Sequence, residues 1–151
     1  MKKTLLAVTT AALLTTGIAA PVHEADAVRQ TVTYKKASGN YLASVARSIA
    51  AKRIYKYGAN NNYAVDCSAF AQQVMSAVGK RVPRTTHAQI KAGRRVYNPQ
   101  AGDLVFFNRG THVGVYIGNG QMVDALNPVE GVKERSIYYI NGTITGFYRY
   151  Y

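Results

Sequence analysis

The chain has 151 residues, of which 48% are hydrophobic and 17% charged, a composition that excludes a disordered or collagen-like chain and fits one folded domain. Lys and Arg outnumber Asp and Glu by 19 to 7, and the resulting formal charge of +12 attracts the protein to anionic polymers. Because Cys67 is the only cysteine, an intramolecular disulfide is excluded. Its thiol is therefore either an inert small group or one that is kept for its chemistry.

The N-terminal segment has the pattern of a secretory signal. Met1-Lys2-Lys3 precedes an apolar stretch from Leu5 to Ala20, which is short for a helix that crosses a bilayer. Ala25-Asp26-Ala27 then matches an A-x-A cleavage site. We expect a signal peptide over residues 1–27, export to the periplasm or the exterior, and no transmembrane segment in the mature chain. A retained amphipathic anchor is the alternative.

The mature chain is predicted to begin with a flexible lead-in and a helix. Residues 28–40 are polar and irregular and predict the lead-in, so the folded domain is expected over residues 41–151. Apolar residues then recur at roughly helical spacing: Leu42, Val45, Ile49 and Ile54. This stripe predicts a helix over about residues 41–55.

A second helix is predicted to start at the cysteine. Asp66 has the position of an N-cap for a helix over about residues 67–78, and Gly79 follows as its stop. The apolar positions Phe70, Val74 and Val78 predict its buried face. The pattern therefore places Cys67 in the first turn of a helix.

After this helix the pattern changes from helical to extended. Thr86-His87-Ala88-Gln89 fits a capping box that opens a short third helix, which ends at Gly93. Short β-branched and aromatic runs then predict strands over residues 104–107, 112–117, 121–125, 132–137 and 144–150. Gly118-Asn119-Gly120 is typical of a hairpin turn. Because the helices come first and the strands follow, we predict an α+β fold with an antiparallel sheet.

Few side chains of the mature chain can carry out catalysis. A thiol at a helix N-terminus, as predicted for Cys67, is favoured in its thiolate form by the helix dipole. A nucleophile of this kind needs a base and a group that orients the base. His112 and His87 are the candidate bases, and His112 is favoured because a rigid strand can hold its imidazole. Asp124 lies an even number of residues further on across a tight hairpin, so it could share a sheet face with His112.

The chain carries motifs that resemble those of a known family. They are Asp66-Cys67-Ser68-Ala69-Phe70, Val82-Pro83-Arg84-Thr85, Ala101 to Phe107, and His112 to Gly120. In order and spacing they resemble the NlpC/P60 cysteine peptidases over about residues 41–150. The resemblance implies a papain-like α+β fold with N-terminal helices packed on an antiparallel sheet, and hydrolysis of bacterial cell-wall peptides, typically between D-glutamate and a diamino acid.

The resemblance also implies catalytic roles for particular residues. It makes Cys67 the nucleophile and His112 the base, and the third polar position falls on Asp124. Family members more often have His, Asn or Gln at that position, so Asp124 is a departure from the pattern. Physically a carboxylate can orient the imidazole and stabilise its protonated form, which leaves activity plausible and puts the pH profile in question.

Further positions match residues around the family's active site. Tyr55 matches a tyrosine near the thiol, with a role in oxyanion stabilisation or substrate positioning, or else in packing. Asp66 and Ser68 match positions that in some relatives contact the amino end of the peptide, although Asp66 could only cap its helix. His87 matches no catalytic position and is interpreted as a surface residue, with a place in the lining of the cleft as the alternative. No metal site is expected, because one Cys and two His form no ligand pattern, and no cofactor is required.

The sequence therefore predicts a secreted cysteine endopeptidase that cleaves peptidoglycan stem peptides through a thioester. The alternatives are an N-acetylmuramoyl-L-alanine amidase or an acyltransferase on the same scaffold, and a catalytically silent wall-binding module. Expected partners are peptidoglycan peptides and anionic envelope polymers rather than nucleic acid, because the basic residues are scattered and no nucleic-acid motif is present.

Overall fold

The computed structural model describes residues 39–151. The signal peptide predicted over residues 1–27, and the predicted lead-in as far as residue 38, lie outside the described residues. Helix α1 covers residues 39–50, so residues 39 and 40, which the prediction assigned to the lead-in, are already helical. Within residues 39–151, no helix is both long and apolar enough to span a membrane.

Helix α1 is shorter than predicted. It buries Leu42 and Ala46 and ends at residue 50, whereas the prediction extended it to about residue 55. The chain instead forms the short strand β1, Ile54–Tyr55, which pairs in parallel with β2, Ala64–Val65. Ile54, which the prediction assigned to the apolar stripe of this helix, is 47% exposed. The paired residues are ten positions apart, which is beyond the three- and four-residue spacing that a helical pattern uses, so that pattern missed the pairing.

Helix α2 confirms the prediction at its start. It covers Cys67–Ser76, and its N-cap is Asp66, whose carboxylate accepts a hydrogen bond from the Ala69 N–H at 2.9 Å. Gly79 follows with φ +72°, a conformation that favours glycine, although the helix ends slightly before the predicted residue 78. Cys67 is therefore the first residue of the helix.

Helix α3 covers Thr86–Ala92, with Gly93 as its C-cap. Its N-cap is Thr85, so the predicted capping box, which started at Thr86, is wrong by one position. Gln89 does not close the box, because its buried amide donates instead to the backbone oxygens of Ser68 and Pro83, at 3.0 and 2.8 Å. The side chain thereby ties α3 to the start of α2.

The rest of the chain forms one antiparallel sheet, as predicted. Its strands are β3 Arg94–Val96, β4 Leu104–Phe107, β5 His112–Gly118, β6 Gln121–Ala125, β7 Val132–Ser136 and β8 Ile144–Arg149. Their spatial order is β3-β8-β4-β5-β6-β7. The prediction missed β3, which is short and rich in arginine. The α+β class, with helices before the sheet, is confirmed.

The two faces of the sheet bury two separate clusters. The α2 side contains Phe70, Val74, Val113, Val115 and Val123, and the other side contains Val105, Phe107, Tyr116, Met122 and Ile137. Because side chains alternate along a strand, β5 directs Val113 towards α2 and His112 and Gly114 towards the second cluster. His112 is the first residue of β5, at the end of the strand.

Candidate active site

A cleft of about 540 Å³ brings together the start of α2 and the start of β5. Cys67 and His112 both line it, with Tyr55 and Tyr57 from the β1 segment. Cys67 is partly exposed, and the exposed part of the residue faces the cleft that it lines. As the first residue of α2 it lies at the positive end of the helix dipole.

His112 and Asp124 lie diagonally across strands β5 and β6. Asp124 is directly opposite Gly114, two residues beyond His112, so all three share one face of the sheet. The Nε2 atom of His112 lies 2.6 Å from Oδ2 of Asp124, whose side chain is fully buried. This bond leaves Nδ1 as the ring nitrogen that does not contact Asp124. The structure thus brings together the pair that the even spacing suggested.

The environment of His112 favours the protonated imidazole. Burial alone would lower its pKa, but hydrogen bonds and charge interactions with Asp124 and the Cys67 side chain outweigh it and raise the pKa of His112 to about 9. At neutral pH the ring therefore carries a proton on each nitrogen. A protonated ring next to a sulfur is the arrangement of a thiolate–imidazolium pair.

Gly114 leaves room for the side chains of Met122 and Asp124, which pack against it from β6. A methyl group at this position would lie 2.7 Å from Sδ of Met122 and 3.3 Å from Cβ of Asp124. Gly114→Ala should lower stability by about 1–3 kcal/mol through overpacking, and it should displace the carboxylate from His112. We expect kcat to fall about tenfold with KM unchanged, because the substitution disturbs the orientation of the imidazole. Steady-state kinetics and thermal unfolding measure both effects, and an unchanged kcat would contradict this role.

Asp124 has a second partner that the sequence analysis missed. Arg135 on β7 is buried, and its Nε donates to Oδ1 of Asp124 at 2.6 Å. Its Nη1 donates to Glu130 at 2.9 Å, and its guanidinium stacks over the ring of Tyr139. Each oxygen of Asp124 therefore faces its own donor. Side chains alternate along β7, so the register between β6 and β7 puts Arg135 on the same face of the sheet as Asp124. That alternation was the sequence feature that could have indicated the contact.

Asp66 is held by internal donors. Its oxygens accept from the backbone of Gly58 and Ala69, from Ser68 Oγ, and from both terminal nitrogens of Arg84 at 2.9 and 2.6 Å. Burial opposes the charge, but the hydrogen bonds from Arg84, Ala69 and Ser68 lower the pKa of Asp66. A carboxylate accepts about four hydrogen bonds, so this one is saturated within the protein. The geometry favours capping and bracing over direct contact with substrate.

Three further residues named in the sequence analysis also line the cleft: Ser68, Tyr55 and His87. Ser68 lines the cleft, but its hydroxyl is occupied by Asp66 and by Arg84, whose Nη1 lies 2.7 Å away. Tyr55 also lines the cleft, and burial together with the nearby Cys67 raises the pKa of its hydroxyl. His87 is exposed, as predicted, yet it also lines the cleft. Among residues 39–151, no three His, Cys, Asp or Glu side chains are grouped to hold a metal ion.

The chain is thus an α+β domain in which the Cys67 thiol and the His112 imidazole line one cleft, and the buried carboxylate of Asp124 binds the imidazole. The NlpC/P60 family model matches residues 52–148, which is more than half of the chain. The chain belongs to the NlpC/P60 family.

Similar proteins agree with this membership. A probable endopeptidase p60 of Listeria innocua is 42% identical over 91 residues, which is 57% of this chain and 19% of that protein. A probable endopeptidase of Corynebacterium glutamicum is 43% identical over 89 residues, 57% of this chain and 43% of that protein. The solved structure of the peptidoglycan hydrolase RipB of Mycobacterium tuberculosis is 28% identical, with a TM-score of 0.58 over 84% of this chain and 67% of that one. The chain thus spans less than half of either curated relative.

Proposed function

We propose that the protein is a cysteine endopeptidase that hydrolyses peptidoglycan stem peptides, at the bond between D-glutamate and the diamino acid. The observation that carries the proposal is the His112 imidazole, bound to buried Asp124 through Nε2 and lining an open cleft with Cys67. The names of the relatives support it, since one group is called probable endopeptidases and RipB is called a peptidoglycan hydrolase.

The first half of the reaction forms a thioester. In the resting site the thiol proton resides on His112, whose pKa of about 9 keeps it there at neutral pH. The Cys67 thiolate attacks the amide carbonyl, and the oxygen takes the negative charge of the tetrahedral intermediate. His112 then gives its proton to the amine as the C–N bond breaks. The amine leaves, and the acyl group remains bonded to sulfur.

The second half returns the enzyme to its starting state. His112, now neutral, accepts a proton from a water molecule that attacks the thioester carbonyl. The C–S bond breaks, the peptide leaves as a carboxylic acid, and the thiolate–imidazolium pair is restored. Cys67 and Tyr55 both line the cleft, which supports the Cys67 backbone N–H and the Tyr55 hydroxyl as donors to the oxyanion in both halves. No cofactor takes part in this scheme.

We also propose that the enzyme works outside the cytoplasm and is concentrated at its substrate by charge. The support is the predicted signal peptide together with a formal charge of +12. Peptidoglycan carries free carboxylates and is accompanied by other anionic envelope polymers. A cationic enzyme therefore accumulates on the wall at low salt.

Digestion of purified muropeptides of defined composition tests the reaction. We expect mass analysis to show stem peptides cut after D-glutamate, with a new amine on the diamino acid. An amidase would instead release intact stem peptides, an acyltransferase would join fragments, and a wall-binding module would leave the muropeptides unchanged. Any of these three results would overturn the proposal.

A further inference from the structure

Carboxylates pair with only some of the positively charged side chains among the described residues. Residues 39–151 contain 14 Lys and Arg and 5 Asp and Glu. All of these carboxylates are in ion pairs: Asp66, Asp103, Asp124, Glu130 and Glu134. Several cations therefore have no carboxylate partner among residues 39–151, and Arg53, Lys80 and Arg81 are three of these.

These three cations border one surface region on the outer side of α2. Two adjoining hollows of about 470 and 380 Å³ share Asn60, Gln73 and Ser76 in their walls. Arg53 lines the first hollow, and Lys80 and Arg81 line the second. We refer to the two hollows together as the α2 groove. Within residues 39–151, no carboxylate lines either hollow.

The amide side chains of the α2 groove are held in place by one another. Arg53 Nε donates to Oε1 of Gln73 at 3.0 Å, and Gln73 Nε2 donates to Oδ1 of Asn60 at 3.0 Å. Asn60 Nδ2 in turn donates to Oε1 of Gln72 at 2.9 Å. Because these side chains are already ordered, a ligand loses less conformational entropy by binding to them. Ordered amides with cations at both ends suit a ligand that has polar groups and negative charges.

The α2 groove leads to the catalytic cleft along two segments of the chain. In the first, Gly58 lines the cleft and Asn60 lines the groove. In the second, Arg84 lines the cleft and Val82 lines the groove. A polymer that crosses these two segments would therefore pass from the groove to the cleft. Both hollows are open, which suits a strand that continues beyond the site.

We propose that the α2 groove binds the peptidoglycan strand next to the stem peptide that is being cut. This inference rests on the proposed function. The carboxylates of neighbouring stem peptides bind Lys80 and Arg81, and sugar hydroxyl and acetamido groups bind the amides of Asn60 and Gln73. The groove then contributes to binding of the polymer and not to cleavage of a short soluble peptide.

A pair of charge-matched variants tests the site. Lys80→Gln/Arg81→Gln removes two exposed cations of the groove, and Lys91→Gln/Arg94→Gln removes two exposed cations that line neither the groove nor the cleft. Binding to purified sacculi without secondary polymers is measured in a Cys67→Ala background, so that no hydrolysis is needed. We expect about tenfold weaker binding for the groove variant, and less than about a threefold change for the control.

The outcomes separate this proposal from its rivals. Equal losses in both variants would overturn it in favour of attraction by net charge, and no loss in the groove variant would overturn it outright. A loss seen only on walls that carry phosphate polymers would assign the groove to those polymers instead. With active Cys67, kcat/KM on a short soluble stem peptide should be the same in all forms. If the wild-type protein fails to cleave that peptide, the proposed function fails whatever the binding shows.

Discussion

Cys67→Ala should lower the rate of stem-peptide hydrolysis by at least about 10⁴-fold, because no other described side chain in the cleft can form the thioester. Cys67→Ser should be nearly as inactive, since a hydroxyl is far less acidic than a thiol and gains little from the helix dipole. Release of new amines from purified muropeptides measures both rates.

Folding controls make this result interpretable. Cys67 packs against the core but is partly exposed, so either replacement removes few buried contacts, and thermal unfolding should change little. A matched control is Ser136→Ala on β7, which changes a small polar side chain outside the cleft. Full activity in the Cys67→Ala protein would remove the thiol from the mechanism.

Asp124→Asn should lower kcat by about 10²–10⁴-fold, even though Asn is a common residue at this position in the family. The reason is Arg135, whose Nε can only donate and lies 2.6 Å from one carboxylate oxygen. If the introduced amide oxygen accepts from Arg135, the NH₂ group faces Nε2 of His112, which is 2.6 Å from the other oxygen. His112 must then keep its proton on Nδ1, which is the wrong tautomer for a base that faces the thiol.

A second change should rescue this variant. Arg135→Gln places an amide at about the same distance along the side chain as the Arg135 Nε, so the amide oxygen can accept from the NH₂ group that Asp124→Asn introduces. The oxygen of the amide at position 124 is then available to Nε2 of His112. We expect Asp124→Asn/Arg135→Gln to be at least about tenfold more active than Asp124→Asn, whereas Arg135→Gln alone loses activity. Purely additive losses in the double variant would contradict this account.

The pH dependence gives an independent check. Burial lowers the pKa of His112, but Asp124 and Cys67 together raise it to about 9, so wild-type activity should decline only as the pH rises through about 9, where the imidazolium loses its proton. Without the carboxylate charge, the pKa of His112 falls towards its ordinary value, and the alkaline limb of kcat should move to lower pH. If the alkaline limb of kcat lies at the same pH in the Asp124→Asn variant, a group other than His112 controls it.

The sequence predicted the parts of the site that depend on local patterns. The N-cap at Asp66 placed Cys67 at a helix start, and the even spacing across a tight hairpin placed His112 and Asp124 on one face. Both inferences need only short stretches of chain. The local geometry of caps and hairpins is set by neighbouring residues, so these patterns can be seen without a structure.

The contacts that the sequence analysis missed join separate elements that meet only in the tertiary structure. Parallel pairing of β1 with β2 ended α1 early, and no local pattern reveals such a pairing. Arg135 reaches Asp124 only because β7 pairs with β6 in one particular register. The saturation of Asp66 similarly depends on Arg84, which follows α2 in the chain and returns to its start. Each of these contacts is decided by tertiary packing.

The two outer strands of the sheet also affect how the molecules behave at high concentration. β3 and β7 are the edges of the sheet, where unpaired backbone groups could hydrogen-bond to another molecule. Exposed Arg94 and Arg95 lie on one edge, and exposed Lys133 and Glu134 lie on the other. Charged side chains disfavour the addition of a foreign strand. The charged side chains of β3 and β7 thus protect the domain from edge-to-edge aggregation.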